Sequence, residues 1–149
     1  GGIMIDKTLS AEQKLAELLK KLSEDNKSNR SIFYAWCKKR EEYWRNHVKA
    51  VVGDKLDVNE VDKIFDEANN YDLEKLVETD YDYTALSKEE LVELLSTMKR
   101  AFDDIEGLEP EEDNVYDFNY DSLYNGWEDA CSTLEDKINN LEKVLADKN

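Results

Sequence analysis

The chain has 149 residues, enough for one domain with a real core, and its 40% apolar and 38% charged content is too rich in large apolar side chains for a disordered polymer. The formal net charge of −16 is uneven: residues 1–52 carry eleven Lys/Arg against seven Asp/Glu, while residues 53–149 carry nine against twenty-nine. That balance argues against direct nucleic-acid binding through the acidic region, and no apolar run approaches the ~20 residues of a membrane span.

One proline and five glycines favour helix over a turn-rich β fold. Gly1-Gly2-Ile3 reads as an expression remnant with Met4 as the natural start, so residues 4–149 are expected to form a single helical domain. No charged segment leads into an apolar leader core. Cys37 and Cys131, with no CxxC spacing, are expected to be reduced core residues of a cytoplasmic protein.

The first predicted helix spans 9–24. Ser10 and Gln13 form a capping-box pair, and Leu15, Leu18, Leu19 and Leu22 make its apolar stripe. The polar run Asp25-Asn26-Lys27-Ser28 reads as a connector. A second helix runs from Ser31 to Val52 with Gly53 as terminator, turning Phe33, Trp36, Cys37, Trp44, Val48 and Val51 inward. His47, the only histidine, falls close to that face and reads as structural. The cations Arg30, Lys38, Lys39, Arg40, Arg45 and Lys49 are expected to face this chain's own carboxylates.

A shorter helix follows Asp57, with Val58, Val61, Ile64, Phe65 and Ala68 on its buried side; 72–78 adds one or two turns, and 79–86 is a polar-aromatic loop. Ser87 and Glu90 form a second capping box, opening a helix to Ile105 that Gly107 ends. From Trp127 the series Cys131, Leu134, Ile138, Leu141, Leu145 gives a heptad seam on a long C-terminal helix. The expected fold is an all-α, single-domain bundle of four to six helices, with an acidic aromatic connector at about 109–126.

Catalytic patterns are missing: there is no Gly-rich phosphate loop, no GxSxG and no HExxH, and Cys37 and His47 lie ~15 Å apart along one predicted helix. A single histidine without paired cysteines argues against zinc. The chain therefore reads as a non-enzyme without a cofactor.

The distinctive stretch lies between Arg100 and Lys137, where thirteen carboxylates occur without one basic residue, interleaved with Tyr116, Phe118, Tyr120, Tyr124 and Trp127. So much charge of one sign opposes folding unless it is solvated or matched by a positive partner. Carboxylates one helical turn apart stand ~5–6 Å from each other and can imitate nucleic-acid phosphates. The expected function is therefore protein–protein contact, as in a DNA mimic, a phage anti-defence inhibitor or a nuclease-immunity protein, with a basic nucleic-acid-handling partner. Asp113, Tyr116, Asp117, Tyr120 and Asp121 are the expected contact residues, with Asp80 and Asp82 as a second patch.

Two alternatives stand beside it. Counted from Asp117, oxygen donors fall at positions 1, 3, 5, 9 and 12: Asp117, Asn119, Asp121, Asn125 and Glu128. This spacing resembles an EF-hand calcium loop and implies calcium as ligand, although Ser122 stands where that loop needs Gly. The competing reading makes 120–128 helical. The other alternative is a scaffold that forms a homodimer through the 127–145 seam.

Overall fold

The structure, a computed structural model, describes residues 10–68, 70–115 and 117–148, with the backbone alone over 20–28. The chain is all-helical. Among the described residues there is no strand, and five α-helices follow one another: α1 (Ala11–Val52), α2 (Val58–Ala68), α3 (Leu73–Glu78), α4 (Lys88–Glu106) and α5 (Tyr120–Asp147). Short 3-10 turns occupy Gly53–Lys55, Tyr83–Ala85 and Glu112–Asn114. No helix among these residues is long and apolar enough to cross a membrane. The three leading residues read as a remnant lie outside the described range.

The two helices expected at 9–24 and 31–52 are one. Ser10 and Gln13 cap its start reciprocally, as their spacing predicts, but the helix runs through Asp25–Ser28 without a break. Polar residues lower helix propensity by less than ~0.7 kcal/mol each, and without Gly or Pro nothing forces an end there. It stops at Gly53, whose φ of 53° suits glycine.

The core gathers around α5, which packs against both α1 and α4. α1 contributes Phe33 and Trp36, α4 contributes Leu91, Met98, Ala101 and Ile105, and α5 contributes Leu123, Ala130, Leu134 and Leu141. α4 and α5 run antiparallel: Trp127 donates to the Ile105 carbonyl near one end, Lys99 pairs with Glu142 further along, and Lys148 donates to the Leu86 carbonyl at the other. The seam proposed for homodimerisation is filled from within, because Leu134, Ile138 and Leu141 are buried by this chain's own helices.

The α1–α5 crossing is set by Gly126, where an added Cβ would overlap the Asn29 carbonyl. Just beyond it, Arg30 reaches Glu78, Asp129 and Thr133. Residues 11–19 of α1 lie ten or more residues, or ~15 Å and more, before that crossing. Leu15 and Leu19 are consequently more than half exposed, and the expected buried stripe is not part of the core; the Leu22 side chain lies outside what is described.

The far end of α1 also outruns the core. There α2 is its main neighbour among the described residues, and Trp44 and Val51 are exposed rather than inward. His47 is exposed too, stacked on Tyr43 with ring centroids 6.3 Å apart and edge-on to Trp44. α2 needs only a narrow apolar stripe against α1, and its end is tied to α4 where Arg100 donates to the Glu67 and Ala68 carbonyls. Val61 is buried and Phe65 half-buried, while Val58, Ile64 and Ala68 face outward.

The α1–α2 contact is held by charge. Asp62 accepts from Arg45 and lies 2.9 Å from Lys49, and Arg45 also bonds Glu41 and Asp66. Hydrogen bonds from Lys49 and then Arg45 hold the Asp62 carboxyl below its ordinary range. The contribution is fully present above the unfolded-state value near 4 and is lost as pH falls from there through the lower folded-state value. Asp62→Asn is therefore expected to be less stable than wild type at pH 7, with the gap closing below about pH 4. Urea unfolding of both proteins at pH 7 and pH 3 checks this; an unchanged gap at pH 3 would exclude the ion pair as its cause.

Candidate acidic interface

The acidic aromatic segment is more ordered than its sequence suggests. Pro110 is buried, and Glu111–Asn114 closes a 3-10 turn in which the Glu111 amide donates to the Asn114 side chain. The Asn114 carbonyl accepts from the Trp36 indole at 3.0 Å, tying the connector to the α1 core. Asn119 then caps α5, its side chain accepting from the Ser122 amide, and helix begins at Tyr120. The irregular region expected over 109–126 therefore ends seven residues early. The Gly126 propensity cost of about 1 kcal/mol is outweighed because that residue faces α1 inside the core.

The same capping decides the geometry of the calcium-like spacing. Residues 120–128 are helical, so the twelve-residue EF-hand ring is not formed. Asp117 and Asn119 precede the helix, while Asp121, Asn125 and Glu128 follow the helical surface. Among the described residues no group of three His, Cys, Asp or Glu side chains is placed to hold a metal ion.

Because α4 and α5 are antiparallel, the end of one helix and the start of the other share a pole. Asp103, Asp104 and Glu106 come to it from α4; Glu109, Glu111, Glu112, Asp113 and Asp117 from the connector; Asp121 from α5. All nine are exposed. Asp104 accepts from the Tyr71 hydroxyl at 2.8 Å, and burial followed by that bond raises the Tyr71 phenol. Asp117 pairs with Lys39 at 3.1 Å, in an arrangement too exposed to contribute much stability. Glu111, Glu112, Asp113 and Asp121 have no ion pair among the described residues.

Of the expected contact residues, the fold brings Asp113, Asp117, Tyr120 and Asp121 together; Tyr116 lies outside the described residues. Tyr120, Tyr124 and Trp127 form a half-buried ladder along α5, with centroids 5.9 and 5.4 Å apart. Asp80 and Asp82 are not part of this pole. Their loop is tied further along α5, through Tyr83 to the Lys137 carbonyl, sixteen residues or ~24 Å from Asp121.

The cations of α1 are committed mainly elsewhere: Arg30 to α3 and α5, Arg45 and Lys49 to α2. Arg30, Lys39, Arg45 and Lys49 face the chain's own carboxylates as expected, whereas Lys38 and Arg40 make no ion pair among the described residues; the ion pair to a connector acid among those residues is Lys39 to Asp117.

Sequence patterns did not reveal a cleft of about 540 Å³ between α1, α2, the start of α3 and the end of α4. Cys37 lies in its floor, and burial pushes the thiol up to about 12, so it stays protonated. Cys131 is likewise a free thiol raised by burial, to about 11. Comparison of the chain with protein-family models, with curated proteins and with solved structures found no match in any of the three.

Proposed function

We propose that this chain is a non-enzymatic, cytoplasmic interaction module whose acidic pole binds a basic surface of a nucleic-acid-handling protein, as an inhibitor or regulator of the DNA-mimic, anti-defence or nuclease-immunity kind. One observation carries the reading: Glu111, Glu112, Asp113 and Asp121 are gathered at one exposed pole and form no ion pair among the described residues. The cost of concentrating like charge falls when an external cationic surface takes the place of solvent and counterions. The tyrosines beside the acids supply rigid contact area of the type enriched at interfaces.

The test compares wild type with a variant carrying Glu111→Gln, Glu112→Gln, Asp113→Asn and Asp121→Asn. Each is used to capture proteins from a bacterial lysate at low and high salt, and captured proteins are challenged with duplex DNA. Wild type is expected to retain basic DNA-binding proteins at low salt and to lose them as screening shortens from ~10 Å at 0.1 M to ~3 Å at 1 M. DNA should displace them, and the neutralised variant should lose at least tenfold in affinity, about 1.4 kcal/mol. Capture indifferent to salt, to DNA or to the four substitutions would overturn the proposal.

A further inference from the structure

Arg40 differs from the other arginines. Arg30 and Arg45 bond carboxylates, and Arg100 bonds the Asn70 side chain and the Glu67 and Ala68 carbonyls. Arg40 has no oxygen partner among the described residues; its guanidinium lies 5.5 Å from the centre of the Trp36 ring. In a chain with thirty-six acids, a partly buried guanidinium without a carboxylate is unusual.

Arg40 opens onto the 540 Å³ cleft, whose walls include Trp44, Phe65, Leu73, Ile105 and Leu108. That volume lies in the range of small-molecule sites, which combine apolar walls with one or two orienting polar groups. Other polar groups at the cleft are already used. Glu41 bonds Arg45, Asp72 accepts from the Lys75 amide at the start of α3, and the Tyr34 and Tyr71 hydroxyls donate to Glu78 and Asp104. Glu74 and Lys38 are exposed at the rim; Lys38 also makes no ion pair among the described residues, but its ammonium is open to water where Arg40 is partly buried. Arg40 is thus the partly buried orienting group that remains, and its planar fork matches a carboxylate.

We propose that this cleft binds a small carboxylate with an apolar aryl or alkyl body: the carboxylate on Arg40, the body between Trp44, Phe65 and Leu73. The proposal is independent of the acidic pole. The test uses a matched set of probes, 4-phenylbutyrate, 4-phenylbutan-1-ol and 4-phenylbutylamine, titrated into the full chain by calorimetry. The carboxylate is expected to bind at least tenfold more tightly than the alcohol or the amine. Arg40→Gln should remove that preference and leave alcohol binding unchanged; Trp44→Ala, at a half-exposed wall, should weaken carboxylate and alcohol alike. A melting curve of each variant confirms that it is folded, and a shift of the Arg40 side-chain Nε–H resonance on adding the carboxylate, but not the alcohol, to wild type gives a reading that needs no substitution. Equal binding of the three probes, no binding of the carboxylate at millimolar concentration, or a preference that survives Arg40→Gln would overturn the proposal.

Discussion

Gly126→Ala is expected to destabilise the protein by about 2 kcal/mol or more, although alanine is the better helix former. In an isolated helix the substitution would gain about 1 kcal/mol. Here the new methyl group would meet the Asn29 carbonyl, and next to it the Arg30 amide, which are backbone atoms of a helix that cannot swing aside as a side chain does. α1 and α5 would have to separate, loosening Phe33 and Trp36 against Leu123 and Ala130. The neighbouring Asn125→Ala, on the exposed side of α5, supplies the control and is expected to be neutral or stabilising. Urea unfolding of the two variants separates packing from propensity. Equal effects of the same sign would mean that the close crossing is not a constraint.

Trp36→Ala is expected to cost about 3–5 kcal/mol, a large part of the stability of a domain this size. Trp36 is fully buried, tilted against Phe33 with ring centroids 6.0 Å apart, and it donates to the Asn114 carbonyl. Trp36→Phe isolates the last contact. It keeps most of the apolar burial and leaves the carbonyl without its donor, at a cost of about 1–3 kcal/mol. The difference should appear locally: amide exchange over 111–115 should rise in Trp36→Phe more than in the α4–α5 core. Uniform exchange changes, or a loss below about 1 kcal/mol for Trp36→Ala, would remove the indole as the anchor of the connector.

What the sequence conveyed depended on the range of each signal. Capping boxes at Ser10 and Ser87, the terminators Gly53 and Gly107, and the heptad from Trp127 act within a few residues, and the structure follows them. Burial depends on what lies across from a helix. Leu15, Leu19, Trp44 and Val51 have the spacing of an inner face, yet α5 reaches only the middle of α1. The start of α5 was hidden for a related reason: Asp117 to Asn125 reads as a polar loop until Asn119 is seen as its cap and Gly126 as its packing face. At the acidic pole, composition announced the charge, but only the antiparallel α4–α5 pairing brings Asp103 and Asp121 to one end and leaves Asp80 and Asp82 at a distance. The cleft and the solitary guanidinium of Arg40 draw on four separate elements, so no window of sequence contains them.

The placement of α1 also sets how much chain must be closed to complete the core. The α4–α5 hairpin closes over short separations, with Trp127 and Ile105 only 22 residues apart. The contacts that seat α1 span far more chain, 78 residues from Trp36 to Asn114 and 103 from Arg30 to Thr133. Loop-closure entropy rises with separation, and long-range pairing slows folding. On closure entropy alone, the hairpin is therefore the less costly contact to form and the docking of α1 the more costly one. Docking of α1 then adds Arg30 to Asp129 and Lys39 to Asp117, whereas Lys99 and Glu142 pair within the hairpin itself, so the acidic half acquires its cations from two sources, one local in the chain and one distant.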